Sequence, residues 1–166
     1  MKTLVIAEHN NSELSAATLS VVEAAKKLGK EIDILVASNS ANTVVDQAKS
    51  IEGVSKILSF NDARFLNEIA EDLAMCIVSV AEDYCYFLAS SSTTGKNNLP
   101  RAAALMDLQQ VSEVIEIIDE KTFKKPIYAG SCIATVKSEQ EKNVLTIRTT
   151  ASDKSALGPG IAELVE

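Results

Sequence analysis

Residues 84–95, YCYFLASSSTTG, followed by KNNLPRAAALM over 96–106, decide the fold. Residues 84–89 are apolar without a break and rich in aromatic and β-favouring types, which predicts a strand buried on both faces. The next six are small and hydroxylated or glycine, which predicts a polar loop. Residues 96–106 then read as a helix, with Pro100 near its start, where a missing N–H is tolerated. A strand buried on both faces needs a layer above it and a layer below.

Working outward, residues 2–7 (KTLVIA) repeat the buried-strand signature. Asn10, Asn11 and Ser12, with Glu13 behind them, predict a helix start. Leu14, Ala17, Val21, Val22, Ala25 and Leu28 then recur at helical spacing, and Gly29 stands where a C-terminal cap belongs. Residues 31–37 read as a second strand, 38–50 as a short helix and 54–59 as a third strand. Residues 64–80 read as a helix with Leu66, Ile69, Leu73 and Ile77 on one face. Four strand–helix units in a row predict an α/β fold: three layers, doubly wound, around a mostly parallel sheet with right-handed crossovers.

After Asp107 the rhythm changes. Residues 111–118, 125–129, 133–136 and 144–149 are strand candidates with no helix between them. They are expected as an antiparallel C-terminal extension of the same sheet, with Pro126 at an edge or a strand start. Residues 151–166, with Gly158-Pro159-Gly160, are expected to form neither strand nor helix. The chain then divides into a domain over 1–150 and a linker over 151–166.

Composition narrows the function. The chain has 166 residues, 46% hydrophobic and 23% charged, which is a globular balance. Its apolar runs, such as 4–7, are too short to span a bilayer. The opening Met1-Lys2-Thr3 leads straight into a strand-like run, so neither a secretory nor a transit leader is expected. Sixteen basic against 23 acidic residues give a net charge of −7, and the bases gather only in pairs such as Lys26-Lys27 and Lys124-Lys125. Nucleic acid and anionic membranes are therefore not the expected partners. Cys76, Cys85 and Cys132 form no CxxC and sit among apolar neighbours, which predicts buried thiols in a reducing compartment. One histidine, His9, excludes a His-rich metal site within the chain.

The loop at 90–98 is the most informative place for chemistry. It leaves the carboxyl end of a buried strand and enters a helix, the edge of an open α/β sheet where ligands sit. Thr93, Thr94, Gly95, Lys96 and Asn98 supply hydroxyls, a free backbone, a cation and an amide; Arg101 follows on the next turn. The pattern is not that of a P-loop, because Gly95-Lys96 lacks the earlier glycine and Asn97 stands where Ser or Thr would hold magnesium. Three readings stand: a helix cap with a solvated loop, a protein or domain interface, and a nucleotide site. Arg101 reads equally as an exposed side chain covering its helix or as part of an interface. His9, also at a carboxyl edge, reads as a capping or surface residue; a hydrolase would need a nucleophile and an orienting acid beside it. The pairs Glu71-Asp72 and Glu82-Asp83 read as a solvated face. No catalytic or metal-binding residue is expected.

Whole phrases add a resemblance. Lys2-Thr3-Leu4-Val5-Ile6-Ala7-Glu8-His9, Gly95-Lys96-Asn97-Asn98-Leu99-Pro100-Arg101-Ala102-Ala103-Ala104-Leu105, Pro126-Ile127-Tyr128-Ala129-Gly130 with Thr135-Val136, and Val144-Leu145-Thr146-Ile147-Arg148-Thr149-Thr150-Ala151 resemble the N-terminal domain of the electron transfer flavoprotein alpha subunit. The second and third phrases are the specific ones. Lys125 stands where the family has arginine, and Ser131-Cys132 where it has Asn-Ala. The resemblance implies an adenine-nucleotide-hydrolase-like layering and a scaffold role beside a beta subunit that holds AMP. It also implies FAD on a C-terminal half that would begin near Glu166. The full complex would carry electrons from acyl-CoA and related dehydrogenases to a membrane quinone reductase, in bacterial cytoplasm or the mitochondrial matrix. On this reading the chain is an electron-carrier scaffold, not an enzyme; a stand-alone nucleotide-binding domain is the alternative.

Overall fold

Seven parallel strands carry the fold. The structure, a computed structural model, describes residues 1–40, 42–67 and 69–166. Ala41 and Glu68, inside the helices expected over 38–50 and 64–80, lie outside the described residues. β1 (Lys2–Ile6), α1 (Ala16–Lys26), β2 (Ile32–Ser38), α2 (Asn42–Lys49), β3 (Val54–Asn61), α3 (Ala70–Ser79), β4 (Tyr84–Ser90) and α4 (Thr93–Leu105) alternate as the sequence predicts. β5 (Gln110–Val114), β9 (Asn143–Ile147) and β10 (Glu163–Val165) complete the sheet in the order β10-β3-β2-β1-β4-β9-β5, with every neighbouring pair parallel.

Neighbouring residues on a strand point to opposite faces, and here both members of each pair are apolar. Val5, Ile34, Leu88 and Leu145 face α1 and α2, whose Val21, Val22, Ala25, Val44 and Ala48 are buried against them. Leu4, Leu35, Phe87 and Val144 face α3 and α4, through Ala74, Ile77, Leu99, Ala102 and Ala103. Three layers are the only way to bury both faces of such strands.

The antiparallel strands after Asp107 are present, but as a separate sheet. β6 (Glu116–Ile117), β7 (Thr122–Ile127) and β8 (Cys132–Lys137) pair in that order and lay Ile117 and Phe123 on the α1–α2 side of the core. The break comes at Glu113, whose φ of 59° accompanies a register shift between Val111 and Val114 and turns the chain out of the main sheet. The stretch expected as one strand over 111–118 is therefore two, in two sheets. The 144–149 candidate is also not antiparallel: β9 slots between β4 and β5, parallel to both.

Several boundaries differ from the sequence reading. Asn10 does not cap α1; its Oδ1 accepts the N–H groups of Ser12 and Glu13 at 3.0 and 2.7 Å, closing a local turn. The cap is Ser15, whose hydroxyl accepts from Ala17 N–H, and Leu14 instead bridges to His9. The 64–80 helix gives way to a tight turn over Ala63–Asn67, started by Asp62 Oδ1 accepting Arg64 N–H, and then to α3. Leu66 and Ile69 are exposed, while Leu73 and Ile77 are buried. Cys85 is buried and Cys76 half-buried, but Cys132 is exposed at the start of β8, against the expectation of three buried thiols. Burial pushes the Cys76 and Cys85 thiols above their ordinary values. The 151–166 segment does form a strand, β10, on the outer edge of β3.

Candidate functional site

From β1 the chain winds outward through β2 to β3, then returns to place β4 on the other side of β1. The crevice at the carboxyl ends of β1 and β4 is therefore the topological switch point, where a doubly wound sheet opens room for a ligand. Glu8 and His9 follow β1; Ser90 ends β4, and Ser91 and Ser92 lead on into α4.

α4 begins earlier than expected, at Thr93, so Thr93, Thr94 and Gly95 are its first turn and not a loop. Ser92 is the cap: its Oγ accepts Gly95 N–H at 3.0 Å. Gly95 is required at this point, because a Cβ there would stand 1.9 Å from the Ser90 carbonyl oxygen. That contact sets how closely α4 approaches β4. Pro100 lies in the helix interior, where it cannot donate to the Lys96 carbonyl.

Ser90 Oγ donates to Glu8 Oε2 at 2.5 Å and lies 2.9 Å from Ser92 Oγ. A hydroxyl has one proton, so with Ser90 donating to Glu8, Ser92 donates to Ser90. The result is a polarised chain from Gly95 N–H through Ser92 and Ser90 to the Glu8 carboxylate. It places a negative side chain at the positive end of the helix, where an external anion would otherwise be held. The space left is a cavity of about 10 Å³ lined by Ile6, Glu8, Ser90, Thr94, Gly95 and Asn98.

The expected site residues divide into two groups. Thr94, Gly95 and Asn98 line the cavity, and Asn98 is 3% exposed. Lys96 and Arg101 point away from it. Lys96 Nζ pairs with Glu113 Oε1, which also draws Arg148 Nε to 3.7 Å from Oε2. Arg101 pairs with Glu71 across α3 and α4 at 2.6 Å, both half-exposed. Sequence reasoning missed Glu8 and Ser92, although an acid after the first strand and a hydroxyl before the helix were the available signals.

His9 is nearly buried. Asn11 N–H donates to its Nδ1 at 3.1 Å, so Nδ1 is unprotonated and Nε2 carries the hydrogen that meets the Ala37 carbonyl at 3.1 Å. Burial pulls its pKa below the ordinary value. It serves as a pin between the ends of β1 and β2. Among the described residues no three His, Cys, Asp or Glu side chains gather as a metal site, and no helix is long and apolar enough to cross a membrane.

Fold and crevice together define a doubly wound α/β domain whose carboxyl-edge site is filled by its own side chains. The Electron transfer flavoprotein domain family matches residues 3–166, and the chain belongs to that family. It is similar to electron transfer flavoprotein subunit alpha of Pseudomonas aeruginosa, 46% identical over 162 residues that cover 98% of this chain and 52% of that protein. The subunit alpha of Paracoccus denitrificans is 41% identical over 100% of this chain and 54% of its own length. The mitochondrial subunit alpha of Dictyostelium discoideum is 38% identical over 98% and 48%. The chain thus spans about half the length of the curated relatives it matches, which is consistent with the N-terminal domain of an alpha subunit. These relatives are flavoprotein electron carriers by name.

Neither the switch-point cavity nor the trough beside α4 fits a flavin. The switch-point cavity has room on the order of one water molecule, far below the 300–1,000 Å³ typical of cofactor pockets. A larger trough of about 950 Å³ runs between the end of α4, β5 and β8. Its walls, which include Asp107, Gln109, Lys125, Lys137 and Glu139, offer no aromatic face and no helix N-terminus for a pyrophosphate.

Proposed function

We propose that this domain is a scaffold for an electron transfer flavoprotein: it supports FAD-mediated electron transfer without holding the flavin itself. The observation that carries the reading is the family match across 3–166 on a domain whose own crevice is closed by Glu8. In this reading the chain corresponds to the first half of an alpha subunit. Its partners are the beta subunit, which holds AMP, and a C-terminal FAD domain joined through the 151–166 segment. Acyl-CoA and related dehydrogenases would deliver electrons to the assembled complex and a membrane quinone reductase would receive them. The residues expected at the loop act here as structure and interface: Gly95 and Asn98 seat α4, while Lys96 and Arg101 present paired charge at the surface. The location follows the assembly, in bacterial cytoplasm or the mitochondrial matrix.

The test is reconstitution. The chain is mixed at micromolar concentration with a beta subunit and a separately produced FAD domain, and assembly is followed by analytical ultracentrifugation with flavin absorbance. A flavin-bearing ternary complex is expected. Failure to assemble with either component would count against the scaffold reading. The nucleotide-binding alternative rests on the hydroxyl-rich first turn of α4. Calorimetry with AMP, ATP and FAD decides it, and saturable heat from the isolated chain would move it ahead.

A further inference from the structure

The small cavity at the switch point has an unmet demand. Asn98 is 97% buried by difference from its 3% exposure, and its Oδ1 has no protein hydrogen-bond partner. A buried amide oxygen without a donor is costly, so a donor is called for. Around it the cavity carries Glu8, Ser90 and Thr94, and the Ser90 proton is already committed to Glu8. The Thr94 hydroxyl is the one donor left among these three, so acceptors outnumber donors around the cavity. Its volume, about 10 Å³, matches one water and nothing larger.

We infer that this crevice is a built site for a single structural water, which donates to Asn98 Oδ1 and to the Glu8 carboxylate. The choice of water follows from the charges. The positive end of α4 is already matched by Glu8 through the Ser92–Ser90 chain, so the crevice attracts no second anion. The same helix end repels a bare cation, and the Glu8 charge is met by the Ser90 hydroxyl. A neutral double donor of this size can meet both Asn98 Oδ1 and the Glu8 carboxylate. The inference is independent of the scaffold reading: it concerns what fills the crevice, not what docks on the domain. It also gives Asn98 a role, joining α4 to the end of β1 through the water.

Magnetic relaxation dispersion of solvent water counts long-lived internal waters, and Asn98→Leu removes the acceptor while roughly conserving volume. The variant, shown to be folded by circular dichroism, is expected to lose one long-lived water relative to the parent chain. An unchanged count in the folded variant would overturn the inference. Should Asn98→Leu fail to fold, a high-resolution crystal structure of the unaltered chain serves instead. An ordered water within about 3.2 Å of Asn98 Oδ1 is expected; a dry cavity, or Asn98 turned out of it, would overturn the site. Saturable binding of inorganic phosphate, weakened by the Asn98 substitution, would replace the water site with an anion site.

Discussion

Gly95 shows how one residue sets the distance between two layers. Its missing Cβ lets the first turn of α4 lie against the Ser90 carbonyl, and 1.9 Å is too close for any relaxation short of moving the helix. Gly95→Ala is expected to destabilise the fold by about 3 kcal/mol, read as a lower urea midpoint with an unchanged m-value. At the opposite end of the sheet Asp33 is buried, and its Oδ2 accepts from Tyr84 OH at 2.8 Å and Lys2 Nζ at 3.2 Å. Burial first, then the Asp33 hydrogen bond, pushes the Tyr84 phenol far above its ordinary range. Tyr86 is buried too and hydrogen-bonds the Glu120 carbonyl at 2.8 Å; burial raises it from 10.0 to about 12. A phenol held protonated by folding contributes stability that is complete below its unfolded value and lost as pH rises toward its folded one. Stability should therefore fall between pH 10.0 and about 12, and less steeply in Tyr86→Phe. Denaturation at stepped alkaline pH, with tyrosinate absorbance followed in parallel, checks the sign.

Among the elements, α4 carries the sharpest test. The sequence reading starts it at residue 96, which would place Pro100 near its start. Ser92 starts it at Thr93, so Pro100 interrupts the interior and leaves the Lys96 carbonyl without its helical donor. Pro100→Ala restores that donor. It is expected to stabilise the domain by about 1 kcal/mol, the helix-interior penalty offset by the larger entropy of the unfolded chain. A thermal midpoint unchanged or lower in the variant would show that the ring packs more than it breaks. Ser92→Ala removes the cap and the relay to Glu8 together, and a loss of about 1 kcal/mol is expected on denaturant unfolding. The two helix starts explain what was legible. Buried strands such as β4 announce themselves because six apolar residues leave no alternative. A run of Ser and Thr reads equally as loop or as cap plus first turn, since which hydroxyl closes on which N–H depends on the approach of β4. The same limit hid Glu8, whose meaning comes from Ser90, distant in sequence but 2.5 Å away in space. The turn at Glu113 was equally silent, because a left-handed glutamate carries no local signature.

At the scale of the whole molecule, order and layering followed from periodicity, but closure of the sheet did not. β9 lies inside the sheet, far from its sequence neighbours, and no local pattern reports that insertion. The chain end is the second case. Residues 151–166 have the composition of a linker, yet the segment is fastened along its length. Ser155 N–H donates to the Leu19 carbonyl at 3.2 Å and its hydroxyl to Glu23 at 2.8 Å. Glu52 N–H meets the Ala156 carbonyl at 3.0 Å, and Gly158 N–H meets Ser50 at 2.6 Å. Leu157 bridges to Ile51, Ala162 is buried, and β10 covers the edge of β3. Removing residues 153–166 therefore strips these four hydrogen bonds together with the β10–β3 ladder. The expected loss is about 2–4 kcal/mol, measured by urea unfolding, with faster amide exchange confined first to β3. Ser155→Ala alone should lose about 1 kcal/mol. The Glu23 carboxyl reports the same event in solution. Hydrogen bonds from Lys26 and then Ser155 hold it below the ordinary carboxylate value, so truncation should raise it, as seen by NMR titration. A truncated chain with unchanged stability and an unshifted Glu23 would make the segment a passive connector. The expected result makes it the outermost strand of the sheet, and any domain following Glu166 would then start from a fixed edge.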